Sequence, residues 1–256
     1  MERIKDMTVK EIYDFIDSIA PFCSAEDYDN VGLLIGDFSQ SVRKIAVALD
    51  ATEEVFEKAV CEGAELLITH HPVIFNPIKQ FFKDSLPYKF VQSGISAISA
   101  HTNLDKAPGG VGDALANALK LLDVEELLQT EGMGRIGVLP KLMKDFEFAK
   151  FTEDILNTSV RYTPVDREIK KVAVLGGAGD FALDMAIEFG ADAFVTGESK
   201  HHILLEARRR KICYVDAGHH STEAVVCPIL AKKISDTFES IDVVLIEQEA
   251  PAIGRH

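Results

Sequence analysis

Apolar positions along this chain recur in two rhythms. From Val9 to Ala20, Ile12, Phe15, Ile16 and Ile19 fall at helical spacing. Thr8, with Glu11 three residues on, has the form of a capping box and predicts where that helix begins. Beyond it, short continuous apolar runs alternate with longer amphipathic ones. Residues 44–49, 66–69, 95–100, 137–140, 172–175, 194–196, 212–215 and 243–246 read as strands. Residues 53–62, 111–122, 148–156, 181–189, 203–210 and 222–238 read as helices, and Gly63 and Gly190 end two of them. Strands alternating with helices predict an α/β protein with largely parallel pairing.

The pattern repeats. Lys44-Ile45-Ala46-Val47-Ala48-Leu49 resembles Lys171-Val172-Ala173-Val174-Leu175-Gly176. At the same distance beyond each come Gly63-Ala64-Glu65-Leu66-Leu67-Ile68-Thr69 and Gly190-Ala191-Asp192-Ala193-Phe194-Val195-Thr196, an ungapped offset of 127. A third strand ends Ser99-Ala100-His101 in one half and Asp216-Ala217-Gly218-His219 in the other. All strand-helix-strand units share some likeness, but the matched Gly-Ala-acid and Thr positions favour duplication. The expectation is two similar α/β halves, 1–127 and 128–256, packed around a cleft. The break is expected near 125–131, where no low-complexity linker stands.

Composition narrows the function. The chain has 256 residues, with 27 Lys plus Arg against 41 Asp plus Glu, a formal charge of −14. So acidic a chain is poorly suited to wrapping nucleic acid by phosphate neutralisation. Its one basic run, Arg208-Arg209-Arg210-Lys211, reads as a solvated helix end. Apolar residues at 47% and charged residues at 27% argue against wholesale disorder. No run approaches the roughly 20 apolar residues of a membrane span. The N-terminus, Met1-Glu2-Arg3-Ile4-Lys5-Asp6, shows no secretory signal. Cys23, Cys61, Cys213 and Cys227 form no C-x-x-C pair and read as reduced, mostly buried thiols of a cytoplasmic protein.

Seven of the eight histidines, His70, His71, His101, His201, His202, His219 and His220, lie in or beside short apolar runs; His256 is a tail residue. Three motifs sit at the C-terminal ends of predicted strands, where open α/β sheets bind ligands. In Thr69-His70-His71-Pro72, adjacent histidines on a regular strand would point to opposite sides. Past the strand end they could reach two metals, or one after a turn. In His101-Thr102-Asn103-Leu104-Asp105, Asp105 alone could be a loop residue or an N-cap. In Gly218-His219-His220-Ser221-Thr222-Glu223, His219 and Glu223 stand four apart, a spacing that brings both to one side of a helix start. Imidazoles with a bridging carboxylate are a ligand set for a pair of divalent cations such as zinc, iron or manganese.

Other residues belong to the same strand ends. Glu198 and His202 read as facing substrate, supporting a ligand, or capping a surface helix. His101 suits supporting a ligand or transferring a proton, and Asp50 could be a further cleft acid. Gly176-Gly177-Ala178-Gly179-Asp180 is a weak match to a dinucleotide or P-loop motif. Pro108-Gly109-Gly110-Val111-Gly112 could approach a phosphate through its backbone, but a plain loop before a helix explains it better.

Taken in order, these motifs resemble the YbgI-like, Ngg-interacting-factor-like family often labelled "GTP cyclohydrolase 1 type 2 homolog". The resemblance covers nearly the whole chain. It is carried by Asp29-Asn30-Val31-Gly32-Leu33-Leu34-Ile35-Gly36, Thr69-His70-His71-Pro72, Ala100-His101-Thr102-Asn103-Leu104-Asp105, Thr196-Gly197-Glu198 with His201-His202, and Gly218-His219-His220-Ser221-Thr222-Glu223. It implies two divalent cations per chain, with His71 and Asp105 on one, His70 and His219 on the other, and Glu223 bridging both. The family pattern has an aromatic after the last ligand histidine, where this chain has His220. The resemblance also implies a homohexamer, a trimer of dimers. Two function classes follow. One is a metal-dependent hydrolase of a nucleotide-like or phosphate-containing small molecule, GTP cyclohydrolase-like in the family label, with His101 or Glu198 shuttling a proton. The other is a non-catalytic metal carrier or adaptor. No guanine-reading motif is visible, and metal content with a nucleotide screen separates the two.

Overall fold

The capping box forms where the spacing places it. Helix Val9–Ile19 starts with the Thr8 hydroxyl accepting the Glu11 N–H at 3.3 Å, while the Glu11 carboxylate accepts the Thr8 N–H at 2.9 Å. Val9, Ile12 and Ile16 form its buried stripe. The structure, a computed structural model, describes residues 7–251. The N-terminal hexapeptide read for a signal and the tail residue His256 lie outside the described residues.

Two compact units are present. The first comprises residues up to Leu104 together with Cys227–Glu249, and the second comprises Asp105–Val226. The first holds a five-stranded sheet in the order Asp242–Leu245, Lys44–Ala48, Leu66–Thr69, Ser96–Ser99, Gly32–Ile35. The first four strands are parallel and the last is antiparallel. Ala46, Ala48, Leu67 and Ala97 on one face pack with Val55, Phe56 and Ala59 of helix Glu53–Glu62 and with Phe90 of helix Leu86–Ser93.

The second unit's sheet runs Leu122–Glu126, Arg135–Lys144, Glu168–Val174, Ala193–Thr196, Cys213–Asp216, Arg161–Tyr162. Its central strands bury both faces, so they read as near-continuous apolar runs. Val172, Val174, Val195 and Val215 join the core on one side, and Ala173, Phe194 and Tyr214 the core on the other. That alternation is the two-residue period of a strand.

The repeat is carried into hydrogen bonding. In the first sheet Ile45, Ala46 and Val47 stand opposite Leu66, Leu67 and Ile68; in the second, Val172, Ala173 and Val174 stand opposite Ala193, Phe194 and Val195. Both shifts, 172 − 45 and 193 − 66, are 127. The flanking bonds repeat as well. Glu65 N–H donates to Lys44 O at 3.0 Å and Asp192 N–H to Lys171 O at 2.7 Å, while Ala100 N–H and Ala217 N–H each donate at 2.9 Å, to Thr69 O and Thr196 O.

Two expectations need correction. The sheets do not divide at 127/128. Strand Leu122–Glu126 already pairs with Arg135–Lys144 in the second sheet, and Asp242–Leu245 returns to the first. That edge strand reads Leu-Asp-Val-Glu-Glu, too charged to announce itself as a strand. The single helix expected over 222–238 is instead helix His219–Glu223, a 3₁₀ turn Ala224–Val226 and helix Cys227–Thr237. Pro228 explains the break: it lacks an N–H and restricts Cys227, so it fits only the first turn of a new helix. Cys213 and Cys227 are buried, and burial pushes the Cys213 thiol up to about 12, whereas Cys23 and Cys61 are exposed. No helix among the described residues is long and apolar enough to cross a membrane.

Gly63 and Gly190, equivalent in the repeat, both take the left-handed conformation, at φ 71° and 77°. A methyl group at either would meet nothing within 4 Å. Only backbone strain should therefore penalise Gly63→Ala and Gly190→Ala, each by about 1 kcal/mol in urea unfolding. Neutral substitutions at both would contradict this.

Candidate metal centre

His70 and His71 leave the end of strand Leu66–Thr69 on a tightly bonded backbone. His70 N–H donates to Ala48 O at 3.4 Å and His71 N–H to Leu49 O at 2.9 Å. The Ser99 hydroxyl donates to His70 O at 2.8 Å and the Thr69 hydroxyl to His71 O at 2.7 Å. His101 follows the neighbouring strand Ser96–Ser99, and its N–H donates to Asn103 Oδ1 at 2.9 Å. The three imidazoles converge, with ring centroids 4.9 to 5.3 Å apart and ligand nitrogens within 4.8 Å of one another.

Each ring is oriented through Nδ1. His70 Nδ1 lies 2.9 Å from Ala100 O, His71 Nδ1 2.7 Å from Asp50 Oδ1, and His101 Nδ1 2.8 Å from Asp29 Oδ1. A carbonyl oxygen only accepts, so His70 Nδ1 donates and the lone pair resides on Nε2. Asp29 is ionised. Burial opposes its charge, but hydrogen bonds from His101 and from the Thr102 side chain and N–H outweigh that and hold the carboxyl far below the usual carboxylate range. Its side chain is 0% exposed, so its place in the fold is to aim His101. Asp50, expected as a cleft acid, holds His71, and its own N–H donates to Gln248 Oε1 at 2.8 Å.

The second unit builds a matching arrangement. His219 opens helix His219–Glu223, its Nδ1 2.7 Å from Glu198 Oε1 and its Nε2 3.0 Å from Glu223 Oε2. The four-residue spacing brings the two side chains together, with Glu223 only 4% exposed. Glu198 follows strand Ala193–Thr196, and its carbonyl accepts the Tyr214 hydroxyl at 2.6 Å. Burial pushes that phenol's pKa upward. His201 and His202 are exposed on the first turn of helix His201–Arg210, and His220 is half-buried. Asp105 lies on the short helix Thr102–Lys106, half-buried, at the start of the second unit.

The glycine-rich turn at 176–180 serves this arrangement rather than a phosphate. Gly177 has φ +62°, and a Cβ there would overlap Glu223 Oε1 and lie 3.1 Å from His219 Nε2. At Gly197 a Cβ would stand 2.6 Å from His219 Cα and 2.7 Å from Thr222 Oγ1. The Thr222 hydroxyl accepts the Gly177 N–H at 3.1 Å. The turn therefore cradles the 219–223 segment by lacking side chains.

The donor chemistry fits divalent metal. His70, His71 and His101 could hold an ion, each ring steadied from behind by an acceptor as metal-bound histidines are. His219 with Glu223 adds an imidazole and a buried carboxylate. The profile of the family Duf34/NIF3 (NGG1p interacting factor 3) matches residues 7–251. The chain belongs to the Duf34/NIF3 family. It is 31% identical to the "GTP cyclohydrolase 1 type 2 homolog" of Clostridium perfringens, over 95% of this chain and 97% of that one. Among solved structures it is similar to the hypothetical protein SA1388 of Staphylococcus aureus, with a TM-score of 0.92 and 28% identity over 98% and 100% of the two chains. It is likewise similar to the protein ybgI, of unknown function, with a TM-score of 0.87 and 26% identity over 96% and 100%. The Duf34/NIF3 resemblance expected from the motifs therefore holds across the whole described chain.

Gly177→Ala should lower metal retention at least about tenfold, because its methyl group takes the space of the Glu223 carboxylate. Gly190→Ala carries the same left-handed strain without that contact and should retain metal. Equal retention in the two variants, by elemental analysis after gel filtration, would contradict the cradle.

Proposed function

We propose that this Duf34/NIF3 protein is a dinuclear divalent-metal hydrolase acting on a nucleotide-like or phosphate-containing small molecule. The observation that supports it best is the set of imidazoles, His70, His71, His101 and His219, each with Nδ1 engaged by an acceptor. His71 and Asp105 are assigned to one ion, His70 and His219 to the other, and Glu223 to both. Zinc, iron or manganese suits this mixture of imidazole and carboxylate. When bound, the two cations supply Lewis acidity at a carbonyl or phosphoryl oxygen and a more acidic water.

The remaining roles fall to the chain's own groups. Asp29 fixes the His101 ring, so that its Nε2 takes a proton from water or returns one to a leaving group. Glu198 is more than half exposed while holding His219. Its carboxylate both steadies that ring and stays within reach of a second proton. The nucleotide-like substrate is drawn from the name of the Clostridium relative. Two exposed thiols, Cys23 and Cys61, suit the reducing cytoplasm. Assembly as a hexamer, a trimer of dimers, is proposed from the family likeness; light scattering that returns a monomer at micromolar concentration would contradict it.

Purified protein should hold close to two divalent ions per chain, and Glu223→Ala should lose most of them. Wild type should turn over a member of a nucleotide and phosphodiester panel, with that turnover gone in Glu223→Ala. A full metal complement in the variant overturns the bridging role. Bound metal with no turnover across the panel overturns the hydrolase in favour of a carrier.

A further inference from the structure

Phe75 is a fourth ring at the first unit's histidine cluster. It stands four residues beyond His71, its centroid 6.2 Å from that of His101 and its plane at 76° to it. Its neighbours Val73 and Ile74 pack against the apolar core, yet Phe75 is 44% exposed. The backbone that presents it is tied to the residue beside Asp29: Asn30 Nδ2 donates to Ile74 O at 2.5 Å. Asp29 and Asn30 thus place an imidazole and a phenyl together, Asp29 through His101 Nδ1 and Asn30 through the Ile74 carbonyl. A core role would pack the ring inward with Val73 and Ile74, and a bystander on a loose loop would not be tied by a side chain 44 residues away in sequence. The near-perpendicular contact with His101 covers at most one phenyl face and leaves the other for something flat.

We infer that Phe75 is a specificity-determining residue that stacks on a planar heteroaromatic ring of the substrate, beside His101. This rests on the hydrolase reading and narrows its substrates to ring-bearing compounds, purine nucleotides among them. An aromatic face accepts any flat ring without a hydrogen-bonding code, which agrees with the lack of a guanine-reading motif. Asn30 is the positioning residue for that ring.

The test uses the full-length, zinc-loaded protein and two probes that share ribose and phosphate, guanosine 5′-monophosphate and ribose 5-phosphate. Calorimetric titration should show wild type preferring the nucleotide by about tenfold, the scale of one base–aromatic stack. Phe75→Ala should abolish the preference without weakening ribose 5-phosphate, and Phe75→Tyr should keep it. Asn30→Ala should reduce it at unchanged metal content. A wild type with no preference overturns the inference. So does a Phe75→Ala protein that keeps it, including one whose oligomeric state changes by light scattering, which would mean that a second copy covers the ring. Failure of the hydrolase reading looks different: the ring preference would stand in protein that holds metal and turns over none of the panel.

Discussion

A neutral imidazole has one proton and two nitrogens, so whichever nitrogen donates a hydrogen bond decides which can bind metal. That constraint organises the polar chemistry of both units. His70 is fixed by a carbonyl of the next strand, and His71, His101 and His219 by Asp50, Asp29 and Glu198. Removing one of these acceptors would leave its ring in place but free to turn or to change tautomer. The acceptors are therefore as much a part of the candidate centre as the imidazoles. They also set a cost, since three carboxylates held beside imidazoles are stable only where each keeps its hydrogen bonds.

The fold meets that requirement with one device used twice. Parallel strands end level with one another, and each hands its last residues to a turn held by bonds from the adjacent strand. Ser99 on His70 O and Thr69 on His71 O make the first turn rigid; in the second unit Thr196 donates to Gly177 O at 3.1 Å and accepts the Gly179 N–H at the same distance. The two halves have spent this framework differently. The positions after Thr69 are His70 and His71, whereas those after Thr196 are Gly197 and Glu198. One half presents a pair of imidazoles, and the other a space and an orienting carboxylate.

Much of this was legible in the chain itself. The strand ends, the 127-residue repeat, the His219–Glu223 spacing and the capping box are local patterns, and local patterns survive folding when neighbouring residues set them. Asp29 as the partner of His101 was not legible, because the two are separated by 72 residues and no period links them. Nor was the cradle at Gly177 and Gly197, whose glycines read as a poor phosphate loop until the volume of Glu223 and His219 was in place. The boundary near 127 failed for a related reason. Leu122–Glu126 is an edge strand with only Val124 packed on the core, and Asp242–Leu245 rejoins a sheet from which it is far removed in sequence. Strand pairing over such distances leaves no trace in hydrophobic pattern.

The central claim is that the fold alone, before any metal arrives, holds His70, His71 and His101 with Nδ1 donating to a built-in acceptor. Long-range proton–nitrogen correlation spectroscopy on the metal-free, nitrogen-15-labelled protein at a pH where the rings are neutral reads that state ring by ring. The account predicts the Nδ1–H tautomer for His70, His71 and His101, and a mixture of both tautomers for exposed His201 and His202. Nε2–H tautomers, or averaging at the three like that of His201, would contradict it.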